Sequence, residues 1–417
     1  HVAGIVSRWT GVPVERMLEG EKDKLLRMEE VIGRRVIGQQ EAIDVFRAAA
    51  ESELVASAAH ESAMTHSWLV TGPPGSGRSN LAYAFAASLL CRQGGCGVCS
   101  DCTQVAARTH PDLATLTTER VIISIDEVRQ LVQSSQYSPA VSRYRVIVIE
   151  DADRMAERTS NVLLKALEEP PERTVWILCA PSEADLIPTI RSRVRSVRLR
   201  VPSIEDVSAL IQARDGVDAA TAERAARHAQ SHIGMAHRLA TNSEAAERRE
   251  ETVRLALGIQ SVSGAVLAAA RLVEIATDDA KALTEERDSD ELVQMRRSMG
   301  IAEGDAVPAQ LRSQVKNMEE QQKRRATRSL RDGLDRILVD LLSVYRDVFR
   351  LQVGVADQLV NSEFGELLHA AARARSAADT VATMEAIATA RERIDGNVAP
   401  ALAMEALLIQ SVRSHAA

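Results

Sequence analysis

The stretch from Ser67 to Leu90 constrains this chain more than any other. A nearly unbroken apolar run, SWLVT, enters the turn GPPGSGRS and leaves into a helix-forming segment over 79–90. A short apolar run closed by a glycine-rich turn predicts a strand buried on both faces, as in a parallel sheet. Gly72-Pro73-Pro74-Gly75-Ser76-Gly77-Arg78-Ser79 keeps the G-x-x-x-x-G-K-S/T spacing of a phosphate loop, with Arg78 where lysine belongs. Such glycines let consecutive N–H groups turn toward phosphate oxygens beside the positive end of the following helix. Gly72, Gly75, Ser76, Gly77, Arg78 and Ser79 are therefore candidate nucleotide contacts, Ser79 being placed for Mg2+. Lysine is a compact charge and arginine a bulky planar fork. The substitution is compatible with ATP or ADP and Mg2+ at this loop and counts against efficient hydrolysis.

A second apolar run, Arg145-Val146-Ile147-Val148-Ile149, ends on Glu150 and Asp151. ATPases of this kind end the strand on an aspartate that holds Mg2+ and follow it with a glutamate that polarises water. Here the order is inverted, with Glu150 at the metal position and Asp151 at the base position. A displacement of about 1 Å costs roughly 10²-fold in rate, so a weak or absent ATPase is expected. Cys91, Cys96, Cys99 and Cys102 stand as C-x4-C-x2-C-x2-C among Gly94, Gly95 and Gly97. Four thiols on tight turns suit tetrahedral zinc, which is favoured over a redox pair or an iron–sulfur cluster. Cys179, alone in an apolar run, reads as an inert core residue.

The 417 residues predict two or three domains. Further strands are expected at 112–116, 144–149, 175–179 and 197–199, with helices at 125–134, 160–168 and 186–191 between them. Such alternation predicts an α/β domain on a parallel sheet. From 204 to 243 only short helices are read, and from 244 onward helix throughout, with the charge-dense 288–328 as a mobile insertion or an exposed helical pair. Aromatics at 3% and abundant Ala, Arg, Glu and Leu agree with a mostly helical chain. No stretch approaches the roughly 18 apolar residues of a membrane span, and the chain opens on His1 without a basic-plus-apolar leader. The net charge of −7 argues against a nucleic-acid coat and leaves room for a local basic patch. Few cysteines, four of them clustered, fit a reducing compartment such as the cytoplasm.

Taken together, the helix Asn161-Val162-Leu163-Leu164-Lys165-Ala166-Leu167-Glu168-Glu169-Pro170-Pro171, the downstream Pro188-Thr189-Ile190-Arg191-Ser192-Arg193, the cysteine quartet and Val36-Ile37-Gly38-Gln39 resemble the bacterial clamp-loader branch of the AAA+ ATPases. Within that branch the likeness is to the delta-prime subunits of DNA polymerase III. It implies an α/β P-loop AAA+ module over 39–202 with a zinc module at 91–102, a small helical lid over 203–243, and a C-terminal helical oligomerisation domain over 244–417. It also implies that Val36 and Ile37 lie beside adenine and that Arg193 is an arginine finger serving a neighbouring subunit's ATP. A finger of this kind is worth about 10³–10⁵ in rate. Val194 replaces the family's cysteine, and the spacing from Cys91 to Cys96 is shorter than the family's. The implied partners are motor (gamma/tau) and delta subunits in a five-subunit ring, with the sliding clamp and primed DNA reached through the assembly, and no membrane. The implied role is a component of the replicative DNA polymerase with little or no ATPase of its own.

Residues 1–38 are instead similar to the entry of the second ATPase module of disaggregase chaperones, through Ser7-Arg8-Trp9-Thr10-Gly11-Val12-Pro13 and Leu25-Leu26-Arg27-Met28-Glu29. The competing reading is therefore a protein-remodelling AAA+ ATPase. It requires a lysine in the P-loop, Asp-Glu at the strand end and an aromatic pore loop between Gly94 and Val141, and the sequence has none of them.

Overall fold

The structure, a computed structural model, describes residues 39, 45, 65–118, 121–298, 312–355 and 357–416. The chaperone-like opening segment, including Val36 and Ile37, lies outside the described residues. The chain divides into two compact units, one ending at His237 and the other running from Arg238 to Ala417.

The first unit is built on β1 (Ser67–Thr71), β2 (Leu113–Leu116), β3 (Arg145–Ile149), β4 (Thr174–Ala180) and β5 (Arg195–Arg198). They form one five-stranded sheet in the order β2-β3-β4-β1-β5, with every neighbouring pair parallel. Parallel strands need crossovers that cover both faces, which is why the runs are apolar at successive positions rather than at alternate ones. Trp68, Val70, Val146, Val148, Val175, Ile177 and Cys179 point into one core, together with Leu81 and Phe85 of α1 (Arg78–Leu90). Leu69, Ile147, Ile149, Trp176 and Leu178 point into the other, with Val128 and Leu131 of α3 (Ile125–Ser135) and Leu163 and Leu167 of α4 (Glu157–Glu168). The short α2 (Ser100–Ala106) follows the cysteines and was not foreseen; Cys99 caps it by accepting from the Cys102 N–H. After α5 (Pro188–Arg191) and the edge strand β5 come α6 (Ile204–Asp215), α7 (Ala219–His228) and α8 (Ile233–Thr241). Ser203 and Asp218 cap the first two by side-chain bonds to the N–H groups of Asp206 and Thr221.

The second unit is all helix: α9 (Ser243–Gly258), α10 (Val262–Ser298), α11 (Arg312–Gln352), α12 (Gly365–Ala374), α13 (Ala377–Asp395) and α14 (Pro400–Ala416). They close around Leu272, Leu334, Leu341, Val348, Met404 and Leu408. Residues 299–311 of the charge-dense 288–328 lie outside the described residues. α10 and α11 extend through its described parts, and Arg325 bridges them to Asp288 and, at 3.0 Å, to Glu291. Two charge clusters tie these helices together: Arg249 holds Asp340 at 3.1 Å and Asn361 at 2.7 Å, and Asp279 accepts from Arg238, Arg248 and Arg336. Among the described residues no helix is long and apolar enough to cross a membrane.

Candidate nucleotide and metal sites

The phosphate loop leaves the carboxyl end of β1, where ligands of parallel sheets gather. Gly75 (φ 79°) and Gly77 (φ 88°) take left-handed backbone that other residues rarely adopt. A Cβ on Gly75 would lie 2.2 Å from the His232 ring, and the Ile233 N–H reaches the Gly75 carbonyl at 3.4 Å, so the start of α8 rests on the loop. Arg78, the residue in lysine's place, donates from Nη1 to the Gly72 carbonyl at 2.5 Å. One arm of its guanidinium is thus turned back onto its own loop. Ser76 is buried, and its hydroxyl has no hydrogen-bond partner among the described residues.

Glu150 is the hub of the site. Ser79 donates to its Oε2 at 2.7 Å, while Tyr83 and Thr117 donate to Oε1, each at 2.8 Å. Arg108 adds an ion pair to Oε1 at 3.0 Å, with its guanidinium lying over the Tyr83 ring, 4.8 Å from the centroid. Burial alone would raise the Glu150 carboxyl; the hydroxyl donors and Arg108 outweigh it and hold the group below its usual range. Burial and the Glu150 charge push the Tyr83 phenol the other way, upward, so it stays a donor. Asp151 leads a single turn over Ala152–Arg154 in left-handed backbone (φ 51°) and faces Arg154 at 3.6 Å. The residues present do not suit Mg2+: the hydroxyl and the carboxylate that would hold it are bonded to each other, and a cation of the chain already sits on the carboxylate.

The cysteines converge as their spacing predicted. The sulfurs of Cys91, Cys96, Cys99 and Cys102 lie within 4.8 Å of one another, Cys91 being 3.5 Å from Cys99 and 4.0 Å from Cys96. Four ligands about 2.3 Å from a tetrahedral zinc stand roughly 3.8 Å apart, so the cluster can close on such an ion with small shifts. The Gln93 N–H points at the Cys91 sulfur at 3.2 Å, and the Cys102 N–H at the Cys99 sulfur at 3.5 Å. A backbone N–H beside it brings the Cys96 thiol down to about 7, whereas burial pushes Cys99 and Cys102 up. Burial likewise raises the Cys179 thiol inside β4.

Arg193 follows α5 at the surface. Its Nε donates to Glu168 at the end of α4 at 2.7 Å, and its Nη1 to the Thr189 carbonyl at 2.7 Å and the Ser192 hydroxyl at 3.1 Å. Gln39, from the Val36-Ile37-Gly38-Gln39 motif, is buried and clasps the Arg200 backbone at both ends: Nε2 to O at 2.7 Å, and Oε1 from N–H at 3.0 Å. Sequence reasoning missed Tyr83, Thr117 and Arg108 at Glu150, Glu168 at Arg193, and His232 at the loop. Tyr83 had a signal, since it follows Ser79 by one helical turn and shares its face.

Comparison with known proteins adds to this geometry. Residues 48–203 match the family described as DNA polymerase III, delta subunit. The chain resembles a clamp-loader subunit of the delta-prime type. It is 40% identical over 134 residues to DNA polymerase III subunit delta' of Pseudomonas aeruginosa, covering 31% of this chain and 41% of that protein. It is 32% identical over 153 residues to DNA polymerase III subunit gamma/tau of Mycobacterium tuberculosis, covering 36% of this chain and 26% of that one. It is also 33% identical over 169 residues to the chaperone protein ClpB of Brucella suis, covering 40% of this chain and 18% of that protein. The chain spans less than half the length of these curated relatives. A solved DNA polymerase III gamma subunit-related protein from Thermotoga maritima aligns over 84% of this chain and 95% of its own at 16% identity and TM-score 0.36, too low to carry weight.

Proposed function

We propose that this chain is a non-hydrolysing subunit of the bacterial clamp loader, a delta-prime-like component of the replicative DNA polymerase III assembly. Its role is to present Arg193 to the ATP of a neighbouring motor subunit while its own P-loop stays silent. One contrast carries the reading. Glu150, the acid that would hold a metal in cis, is tied up within its own chain by Ser79, Tyr83, Thr117 and Arg108, whereas Arg193 makes its bonds to Glu168, Thr189 and Ser192 at the exposed surface, where a neighbour's phosphate can replace them. A guanidinium at a neighbour's γ-phosphate stabilises the charge that develops during phosphoryl transfer. The partners on this reading are gamma/tau motor and delta subunits, and through them the sliding clamp and primed DNA. The four cysteines hold structural zinc, and the helices of the second unit supply the contacts that close the ring. Native mass spectrometry and ATPase assays on mixtures of the purified subunits test the proposal. The chain alone should hydrolyse no ATP, yet should join motor and delta subunits in a five-membered complex whose ATPase with clamp and primed DNA depends on it. Brisk hydrolysis by the chain alone, or failure to enter that complex, would overturn it.

A further inference from the structure

Glu150 closes the strand where this class of site takes a divalent cation, and the chain fills that place with a cation of its own. A carboxylate offers about four acceptor positions. On Glu150 the donors gather unevenly: Tyr83, Thr117 and Arg108 crowd Oε1, and Ser79 takes one of the two positions on Oε2. They arrive from three separate elements, α1, the end of β2 and the turn after α2, so the arrangement is not an accident of one helix face. Arg108 reaches in from left-handed backbone (φ 60°), costly for a non-glycine residue and retained where surrounding contacts fix it. Its guanidinium is flanked by the Tyr83 ring on one side and Glu150 on the other.

We infer that Arg108 is the resident counter-cation of this site, taking the place of a divalent metal at Glu150, so that the P-loop recruits no Mg2+. Mg2+ requires near-octahedral oxygen ligands at about 2.1 Å, and a second positive charge would have to sit within a few ångströms of the guanidinium. Ser79, which would turn a lone pair to the metal, instead donates a hydrogen bond to Glu150. The inference stands on this cluster alone and is independent of what Arg193 does in trans.

Direct Mn2+ binding tests it, read by electron paramagnetic resonance on the full zinc-loaded chain without nucleotide. The wild type should retain no Glu150-dependent Mn2+. Arg108→Ala should bind one Mn2+ at least tenfold more tightly than the wild type, and adding Glu150→Gln to that variant should abolish the gain. Arg108→Lys, which keeps the charge, should behave as the wild type. Circular dichroism checks folding, and Arg108→Gln, which preserves the stem over Tyr83, replaces the alanine variant if that one unfolds. The inference is overturned if the wild type already binds Mn2+ in a way that Glu150→Gln removes, or if neither neutral variant binds it more tightly than the wild type.

Discussion

Removing the metal from the four-cysteine module should destabilise the first unit by an amount that can be worked out. Cys91 and Cys102 are almost fully buried and belong to the same core as Trp68, Phe85 and Leu90, so the module is an extension of the sheet's packing rather than an appendage. An ion that binds only the folded state adds about 4 kcal/mol when its free concentration is ~1,000 times its dissociation constant. The first unit has about 170 described residues from 65 to 237, and unfolding entropy near 2.1 cal/mol/K per residue gives a total of roughly 0.36 kcal/mol/K. Chelation, or Cys102→Ser, should therefore lower its Tm by roughly 11 °C. Differential scanning calorimetry of the full chain reads the shift. Elemental analysis of protein prepared reduced and zinc-replete should give one zinc per wild-type chain and markedly less in the variant. The reasoning fails if the wild type carries no metal under those conditions, or if chelation leaves Tm where it was.

Two further outcomes follow from the same unit. Asp112 is fully buried and accepts the N–H groups of Ala140, Val141 and Ser142 at 2.5, 2.8 and 2.7 Å. Burial pushes its carboxyl up, but those donors and His110 prevail and hold it below the usual range. A carboxyl with a depressed native pKa stabilises fully above its unfolded value, near 4, and loses that contribution as pH falls through the native one. Asp112→Asn should thus cost about 2–4 kcal/mol at pH 7 and flatten the fall in urea midpoint between pH 5 and pH 3; an unchanged slope would deny Asp112 this part. Gly75→Ala should cost about 1–3 kcal/mol, because its backbone is left-handed and its new Cβ meets His232. Adding His232→Ala should recover the steric share and leave the backbone share, so strictly additive losses in thermal melts would show that the two residues do not touch.

How much of this was legible in the sequence depended on whether the signal was local. β1 was readable in full at Ser67–Thr71, because a strand covered on both faces is apolar at every position. β5 was read at 197–199 and lies at Arg195–Arg198, because an edge strand buries only Val197 and turns Arg195, Ser196 and Arg198 outward, which resembles a loop. α2 was hidden because cysteines spaced for a metal mask helical periodicity. The P-loop, the inverted acids and the cysteine quartet were legible because each is a contiguous motif. The Glu150 hub was not, since Ser79, Tyr83, Arg108 and Thr117 come from segments far apart in the chain and meet only once the sheet is assembled in the order β2-β3-β4-β1-β5. Nor could spacing show that Arg78 turns back on Gly72, because that depends on a rotamer rather than a pattern.

On the proposed function, a chain silent at its own P-loop makes its neighbour's ATP reactive through Arg193. Single-turnover ATP hydrolysis by the reconstituted assembly, with wild-type chain or Arg193→Ala, tests it most directly. At the site this subunit faces, the variant should lose a rate approaching the ~10³–10⁵-fold worth of a finger. ATP affinity should stay within about threefold, since an interaction made only in the transition state lowers the rate without weakening ground-state binding. Hydrolysis at the wild-type rate with Arg193→Ala, in an assembly shown to contain the variant, would contradict it.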